Sequence, residues 1–342
     1  VRRPLSAEPR KPAIFLRKRR AGSYRRFPFS MIRTAFVLGA GLGTRLKTLT
    51  ARRPKPLIPV INRPLITYAF DHLRGVGVEH FVVNTHWRAE AYDSAFPSGH
   101  YDGAALAFRR EFPEVLETAG GIKNVEDLLG PAPFFVYNGD ILTDLPLEPA
   151  IRAHREGGHE VTMVLRSKDG PLQVAWDAAS AAVTDIGRRV DPLSDPLFLF
   201  TGIYLVNPEF FARIPPATKI SVVPIFCDMI REGGGRLGGV VIDEGHWWDL
   251  GTREQYLAVH RELRTRSAEA NAPWIHPSAE VSPSARLSGA TTVGAGAVIG
   301  EHASLHDCIV WEGAQIAAGS LLNDCIVTEG VAVSGLHSHA DL

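Results

Sequence analysis

Cysteine occurs only three times, at Cys227, Cys308 and Cys325, and none of the three has the close spacing of a metal-ligand pair. A disulfide framework is therefore excluded, and the chain suits a reducing compartment, with a cytoplasmic location as the expectation. No apolar run approaches the ~18 residues needed to span a bilayer as a helix. An excess of one charge sign is also missing, since Lys plus Arg and Asp plus Glu both number 37. That balance hides an asymmetry. Residues 1–30 hold ten Lys or Arg against the single acid Glu8, which leaves 27 basic and 36 acidic residues over positions 31–342. The body is acidic and carries a basic extension without the apolar core of a secretory signal. The extension reads as a disordered segment, or as one that precedes a translation start at Met31.

At 342 residues the chain is long enough for two domains. Its most informative stretch is Leu38-Gly39-Ala40-Gly41-Leu42-Gly43-Thr44-Arg45-Leu46, followed by Arg53-Pro54-Lys55-Pro56-Leu57. An apolar strand runs into a glycine turn whose backbone N–H groups can approach anionic oxygens closely, and Arg45 and Lys55 add full positive charge. Two familiar phosphate motifs fail on spacing. Thr44 stands where the dinucleotide fingerprint needs its third glycine or alanine, and no Gly-Lys-Ser/Thr ends a P-loop.

From Ile32 onward apolar strands alternate with amphipathic helices. Strands are predicted at Ile32–Leu38, His80–Asn84, Ala105–Arg109, Phe134–Tyr137 and Val161–Leu165, with helices at Pro64–Arg74, Arg88–Ala95, Gly120–Leu129 and Leu147–Glu156. This is the βαβ rhythm of a mainly parallel sheet, whose ligands sit at the strand carboxyl ends. Shorter strands follow, then helices near Val222–Glu232 and Thr252–Thr265. From Ile275 a six-residue period appears, with Ile275, Val281, Leu287, Val293, Ile299 and Leu305 all aliphatic, the mark of a parallel β-helix. The segment His306–Gly313 recurs 17 residues later as Asn323–Gly330, nearly one triangular coil, placing Cys308 and Cys325 on adjacent coils as small core residues.

Two carboxylates have settings suited to a divalent cation. Asp140 ends the buried strand Phe134–Tyr137 on the same edge as the glycine loop, where an unpaired charge is costly. Asp249 precedes the Thr252 helix, which it alternatively caps. Thr118 is likewise a candidate cap for the helix at Gly120.

The Gly-x-Gly-Thr-Arg-Leu run followed by Pro-Lys-Pro resembles the signature of the sugar-1-phosphate nucleotidylyltransferases, in which this loop wraps a nucleoside triphosphate. The fold that the resemblance implies is α/β, a Rossmann-like, mainly parallel nucleotidyltransferase domain plus a C-terminal left-handed parallel β-helix. The expected layout is a basic extension at 1–30, a nucleotidyltransferase domain at 31–265, a linker at 266–274 and the β-helix at 275–342. The implied reaction joins an NTP and a sugar 1-phosphate into an NDP-sugar and pyrophosphate. Arg45 and Lys55 are its expected catalytic cations, with Asp140 and Asp249 holding Mg²⁺. Nucleotide and sugar are expected against Leu38, Ala40, Gly41, Gly43, Thr44, Glu117, Gly120, Gly121 and Gly202.

The Glu117–Gly121 segment resembles N-acetylmuramic acid 1-phosphate uridylyltransferases and the β-helix resembles mannose-1-phosphate guanylyltransferases, so GTP and UTP both stand as the nucleotide. Neither nucleic acid nor membrane is an expected partner. Self-assembly is expected through the β-helix. The Glu-Lys-Pro often found before the sugar-binding strands is missing, and Arg188 or Arg189 is the candidate substitute. Because every catalytic motif precedes Arg253, the chemistry is expected not to need the β-helix. Two other readings remain open: an acyltransferase using His302 or His306 of the β-helix, and a non-catalytic regulatory homologue of the same fold.

Overall fold

The computed structural model describes residues 32–41, 43–266 and 273–342, so the basic extension, Leu42 of the glycine loop and most of the expected linker lie outside the described residues. Ten strands form one sheet in the order Val174–Asp177, Ala182–Ile186, Leu237–Val241, Val161–Arg166, Leu199–Val206, Phe134–Asn138, Thr34–Leu38, His80–Thr85, Ala104–Arg110 and His100–Tyr101. At its centre Thr34–Leu38 runs parallel to both neighbours, with Leu38 level with Asn84 on one side and Asn138 on the other. Leu199–Val206 pairs antiparallel with Phe134–Asn138 and with Val161–Arg166, so the strands on either side of it again point the same way. The mainly parallel sheet follows.

Alternation along Thr34–Leu38 explains the layers. Ala35 and Val37 enter a core closed by the helix Ile66–Arg74. Phe36 enters a second core on the opposite face, shared with the helices Glu117–Asn124 and Val222–Glu232. A strand buried on both faces reads as the near-continuous apolar run seen here.

Two of the helices that begin elsewhere than their patterns predict show the reason in their backbone. Ile61 and Asn62 both adopt positive φ, at 47° and 60°, the requirement of a two-residue hairpin turn. Arg63–Pro64 therefore pairs with Pro59–Val60, and the helix starts at Ile66. The helix expected over Gly120–Leu129 starts earlier and breaks, as Glu117–Asn124 and Glu126–Leu129, because Val125 has φ −115°.

A separate two-stranded ladder pairs Ile141–Thr143 with Trp247–Asp249, and Ile141 faces Asp249 across it. This ladder brings Asp140 and Asp249, distant in sequence, to one place. Asp249 is consequently in a strand and does not cap the next helix. Thr252 does: its Oγ1 accepts the Gln255 N–H at 3.2 Å while Gln255 Oε1 accepts the Thr252 N–H at 2.9 Å, a reciprocal capping box.

The C-terminal residues form three four-stranded parallel sheets, one per side of a triangular coil, as the left-handed β-helix expectation requires. Val293 stacks on Ile275 and under Val310, then Val327, so the first coil holds 18 residues and the next two hold 17. The 17-residue repeat is thus a full coil with one corner residue removed. Cys308 and Cys325 are fully buried in its core.

Candidate active site

The glycine loop leaves the central strand at the sheet's carboxyl edge and is pinned at both ends. The Gly39 N–H donates to Asn84 Oδ1 at 2.8 Å, and the Gly39 carbonyl accepts the Tyr92 hydroxyl at 2.8 Å. At the far end Gly43 has φ +62°, which turns the chain into Thr44–Thr50, and Thr50 Oγ1 donates to its carbonyl at 3.0 Å. The Gly139 N–H donates to Leu38 O at 3.0 Å, which seats Asp140 beside the loop.

Under the loop lies a cluster of four opposed charges. Lys55 Nζ is 2.7 Å from Asp140 Oδ2 and 3.6 Å from Asp249 Oδ1, and the lysine side chain is only 6% exposed. Arg45 lies 3.7 Å from the other Asp249 oxygen and is 64% exposed. A nearly buried ammonium is costly without a counter-charge, so the two carboxylates are what make the Lys55 position tolerable. Phosphate oxygens supply the same kind of counter-charge.

These residues surround a cleft of about 290 Å³ lined by Leu38, Ala40, Gly41, Gly43, Thr44, Arg45, Lys55, Glu117 and Asp140 among the residues expected from sequence. Asp249 stands just outside it, joined through Lys55 and Arg45. Gly120 and Gly121 are buried inside the helix Glu117–Asn124, behind the wall that Glu117 and Thr118 present. Gly202 lies one strand away at φ +81°, where a Cβ would fall 2.6 Å from the Asn138 side chain, and Asn138 is itself in the lining. Arg188 and Arg189 follow the strand Ala182–Ile186 towards the sheet's edge and line no part of the cleft. His302 and His306 sit on the outside of the β-helix.

Sequence reasoning passed over Asn84 and Glu111. Asn84 Nδ2 donates to Glu111 Oε1 at 2.7 Å, and Glu111 Oε2 accepts the Leu116 N–H at 2.7 Å. Burial pushes the Glu111 carboxyl up from its ordinary value, partly offset by the hydrogen bonds from Asn84 and Leu116. One buried network therefore ties Gly39 to the start of the Glu117 wall. The only sequence signal for it was a polar residue at the end of each of two strands. Thr118 also differs from its expected role, since its hydroxyl accepts the Val222 N–H at 2.7 Å and serves the start of the distant helix Val222–Glu232.

A mainly parallel α/β sheet with a pinned glycine loop and paired charges at its carboxyl edge is a nucleotide-binding architecture. The chain belongs to the nucleotidyl transferase family, whose pattern it matches over residues 34–266, and it is a nucleotidyltransferase. Residues 270–337 match the GMPPB C-terminal domain. The chain is 30% identical to the mannose-1-phosphate guanylyltransferase of Mycobacterium tuberculosis, over 82% of this chain and 80% of that one. It is also 30% identical to the N-acetylmuramate alpha-1-phosphate uridylyltransferase of Neisseria meningitidis, over 64% of this chain and 93% of that one. The fold resembles the inositol-1-phosphate CTP transferase of T. maritima, with a TM-score of 0.59 at 18% identity, over 70% of this chain and 98% of that one.

Proposed function

We propose that the chain is a Mg²⁺-dependent sugar-1-phosphate nucleotidylyltransferase that transfers a guanylyl or uridylyl group and releases pyrophosphate. The observation that carries this reading is the shared ammonium: Lys55 lies between Asp140 and Asp249 at the foot of a glycine loop. Two carboxylates next to a phosphate cleft fit Mg²⁺, which takes one or two carboxylates and completes its shell with phosphates and water. Asp140 and Asp249 would hold the ion, which when bound supplies neutralising charge to the phosphate oxygens. In the reaction an oxygen of the sugar 1-phosphate attacks the α-phosphorus, a new P–O bond forms, and the bond to the β-phosphate oxygen breaks. That nucleophile is already anionic, so the residues have to position and neutralise charge more than to remove a proton.

Loop N–H groups and Arg45 receive the β- and γ-phosphates, Arg45 stabilising them as they leave. Lys55 exchanges its carboxylate partners for the α-phosphate or the sugar phosphate. Glu117, Gly120 and Gly121 form the side of the cleft proposed for base and sugar, with Gly202 farther along it. The similarity to the guanylyltransferase covers 82% of the chain and that to the uridylyltransferase 64%, so GTP with mannose 1-phosphate and UTP with N-acetylmuramic acid 1-phosphate are the first pairs to test. A cytoplasmic location fits the three unpaired, buried cysteines. Self-association through the β-helix fits the exposed Leu321 and Leu336 on its adjacent strands.

Pyrophosphate release from a panel of four NTPs against several sugar 1-phosphates tests the reading. Release that requires both substrates and Mg²⁺ is expected, and release with no sugar-phosphate pair would refute it.

A further inference from the structure

The β-helix is not set apart from the chemistry. Each of the four opposed charges under the glycine loop is followed closely by a residue of one apolar cluster: Leu46 and Leu49 after Arg45, Ile58 and Val60 after Lys55, Leu142 after Asp140, and Leu250 after Asp249. Ile309, Trp311 and Ile326 of the β-helix complete that cluster. The catalytic segments therefore rest on the coils as on a floor.

Polar contacts converge on the same segments. Arg53, two residues before Lys55, is paired with both Glu312 and Glu329. These acids are 17 residues apart, and because Val310 stacks on Val327 they occupy equivalent positions on successive coils. The Arg53 guanidinium also lies 5.5 Å from the centre of the Trp311 ring. Trp311 Nε1 donates to the Tyr256 hydroxyl at 3.2 Å, and that hydroxyl donates to the carbonyl of Pro59. On the other flank Arg253, two residues after Gly251, donates to Asp341 at 2.6 Å and pairs with Asp324 at 3.3 Å.

The link from Arg53 to Lys55 is stiff. Pro54 and Pro56 bracket Lys55 and fix their own φ angles, and Lys55–Leu57 is a single tight turn. A displacement of Arg53 is passed on to the Lys55 backbone and is not absorbed between them.

We propose that Glu312 and Glu329, acting through Arg53, are positioning residues that hold the Lys55 ammonium between Asp140 and Asp249. The kinetic part of this inference rests on the nucleotidyl-transfer reading of the cleft; the structural part does not. It also reverses the expectation that the chemistry is independent of the β-helix.

The test is a double-mutant cycle in the full chain, joining Arg53→Met with the pair Glu312→Gln and Glu329→Gln. It is read by steady-state kinetics and by backbone hydrogen exchange. The acid pair alone is expected to lower kcat about tenfold or more with KM within about twofold, and to speed exchange over residues 44–58 but not over the central strand Thr34–Leu38. In the Arg53→Met background the same acid substitutions are expected to add nothing. Unchanged kcat and exchange in the acid pair would overturn the proposal, and so would an effect that persists undiminished without Arg53. If the unsubstituted protein transfers no nucleotide, the reaction is wrong, and the exchange pattern with its dependence on Arg53 still decides the positioning role.

Discussion

Lys55 Nζ sits 2.7 Å from Asp140 Oδ2, so the site's least exposed cation has the strand-end carboxylate as its nearest partner. Replacing that carboxylate removes both the counter-charge of a nearly buried ammonium and half of the proposed metal-binding pair. Asp140→Asn is expected to lower turnover by at least about 10²-fold, the scale of one lost preorganised charge contact, with the circular dichroism spectrum unchanged. EDTA is expected to abolish activity in the unsubstituted enzyme, and Mg²⁺ to restore it. Near-normal turnover in either case would show that the Asp140 assignment is wrong.

Gly251 is a glycine for reasons of space. A Cβ there would fall 2.6–2.7 Å from three atoms of the Arg45 guanidinium. Because the clash is with the end of a flexible side chain, Gly251→Ala is expected to fold normally and to push Arg45 aside. A fall in kcat of about tenfold, with a melting temperature within 2–3 degrees of the parent on the scale of about 0.5 kcal/mol, is the expected result. Arg45→Ala should be worse, and Arg45→Lys should recover only part of the loss, since a point charge replaces a planar fork. Full activity in Gly251→Ala would show that Arg45 has no required position.

Asn84 joins the loop to the Glu117 wall. Asn84→Ala leaves the Gly39 N–H and the buried Glu111 carboxyl without this partner, at a cost of about 1–3 kcal/mol. The expected outcome is a lower unfolding midpoint together with weaker NTP binding by calorimetry. Loss of stability with unaltered affinity would leave Asn84 as a packing residue alone.

Two buried histidines set a pH dependence. Burial pushes both His260 and His154 down to about 4, with a hydrogen bond opposing it in each case, to the Tyr256 carbonyl for His260 and to Asn207 for His154. In the unfolded chain these rings protonate near pH 6.5. Above that pH both states are neutral and stability is complete. Between about 6.5 and 4 the unfolded chain binds the extra protons, so stability falls as pH falls, by about 1.4 kcal/mol per pH unit per histidine. The urea midpoint is expected to drop from pH 7.5 to pH 5 and to drop less in His260→Gln. A flat profile over that interval would contradict the buried neutral assignment.

The parts legible in sequence were local or periodic. The glycine loop with its two cations, the hexad aliphatics and the strand ending at Asp140 each announce themselves within one continuous stretch of sequence. The ladder facing Ile141 with Asp249, the Asn84–Glu111 network and the Arg53–Glu312–Glu329 junction depend on residues far apart in the chain. No spacing rule encodes such pairings. The hairpin at Ile61 and Asn62 was missed for another reason, because neither Ile-Asn nor the prolines around it resemble the usual glycine-containing turn.

The most direct test of nucleotidyl transfer follows the phosphorus atoms. With NTP labelled at the α-phosphate in one reaction and at the γ-phosphate in another, and a sugar 1-phosphate that supports turnover, α-label is predicted in the NDP-sugar alone and γ-label in the released pyrophosphate alone. Label appearing in the sugar product from the γ-phosphate, or hydrolysis of the NTP without any labelled NDP-sugar, would contradict the account.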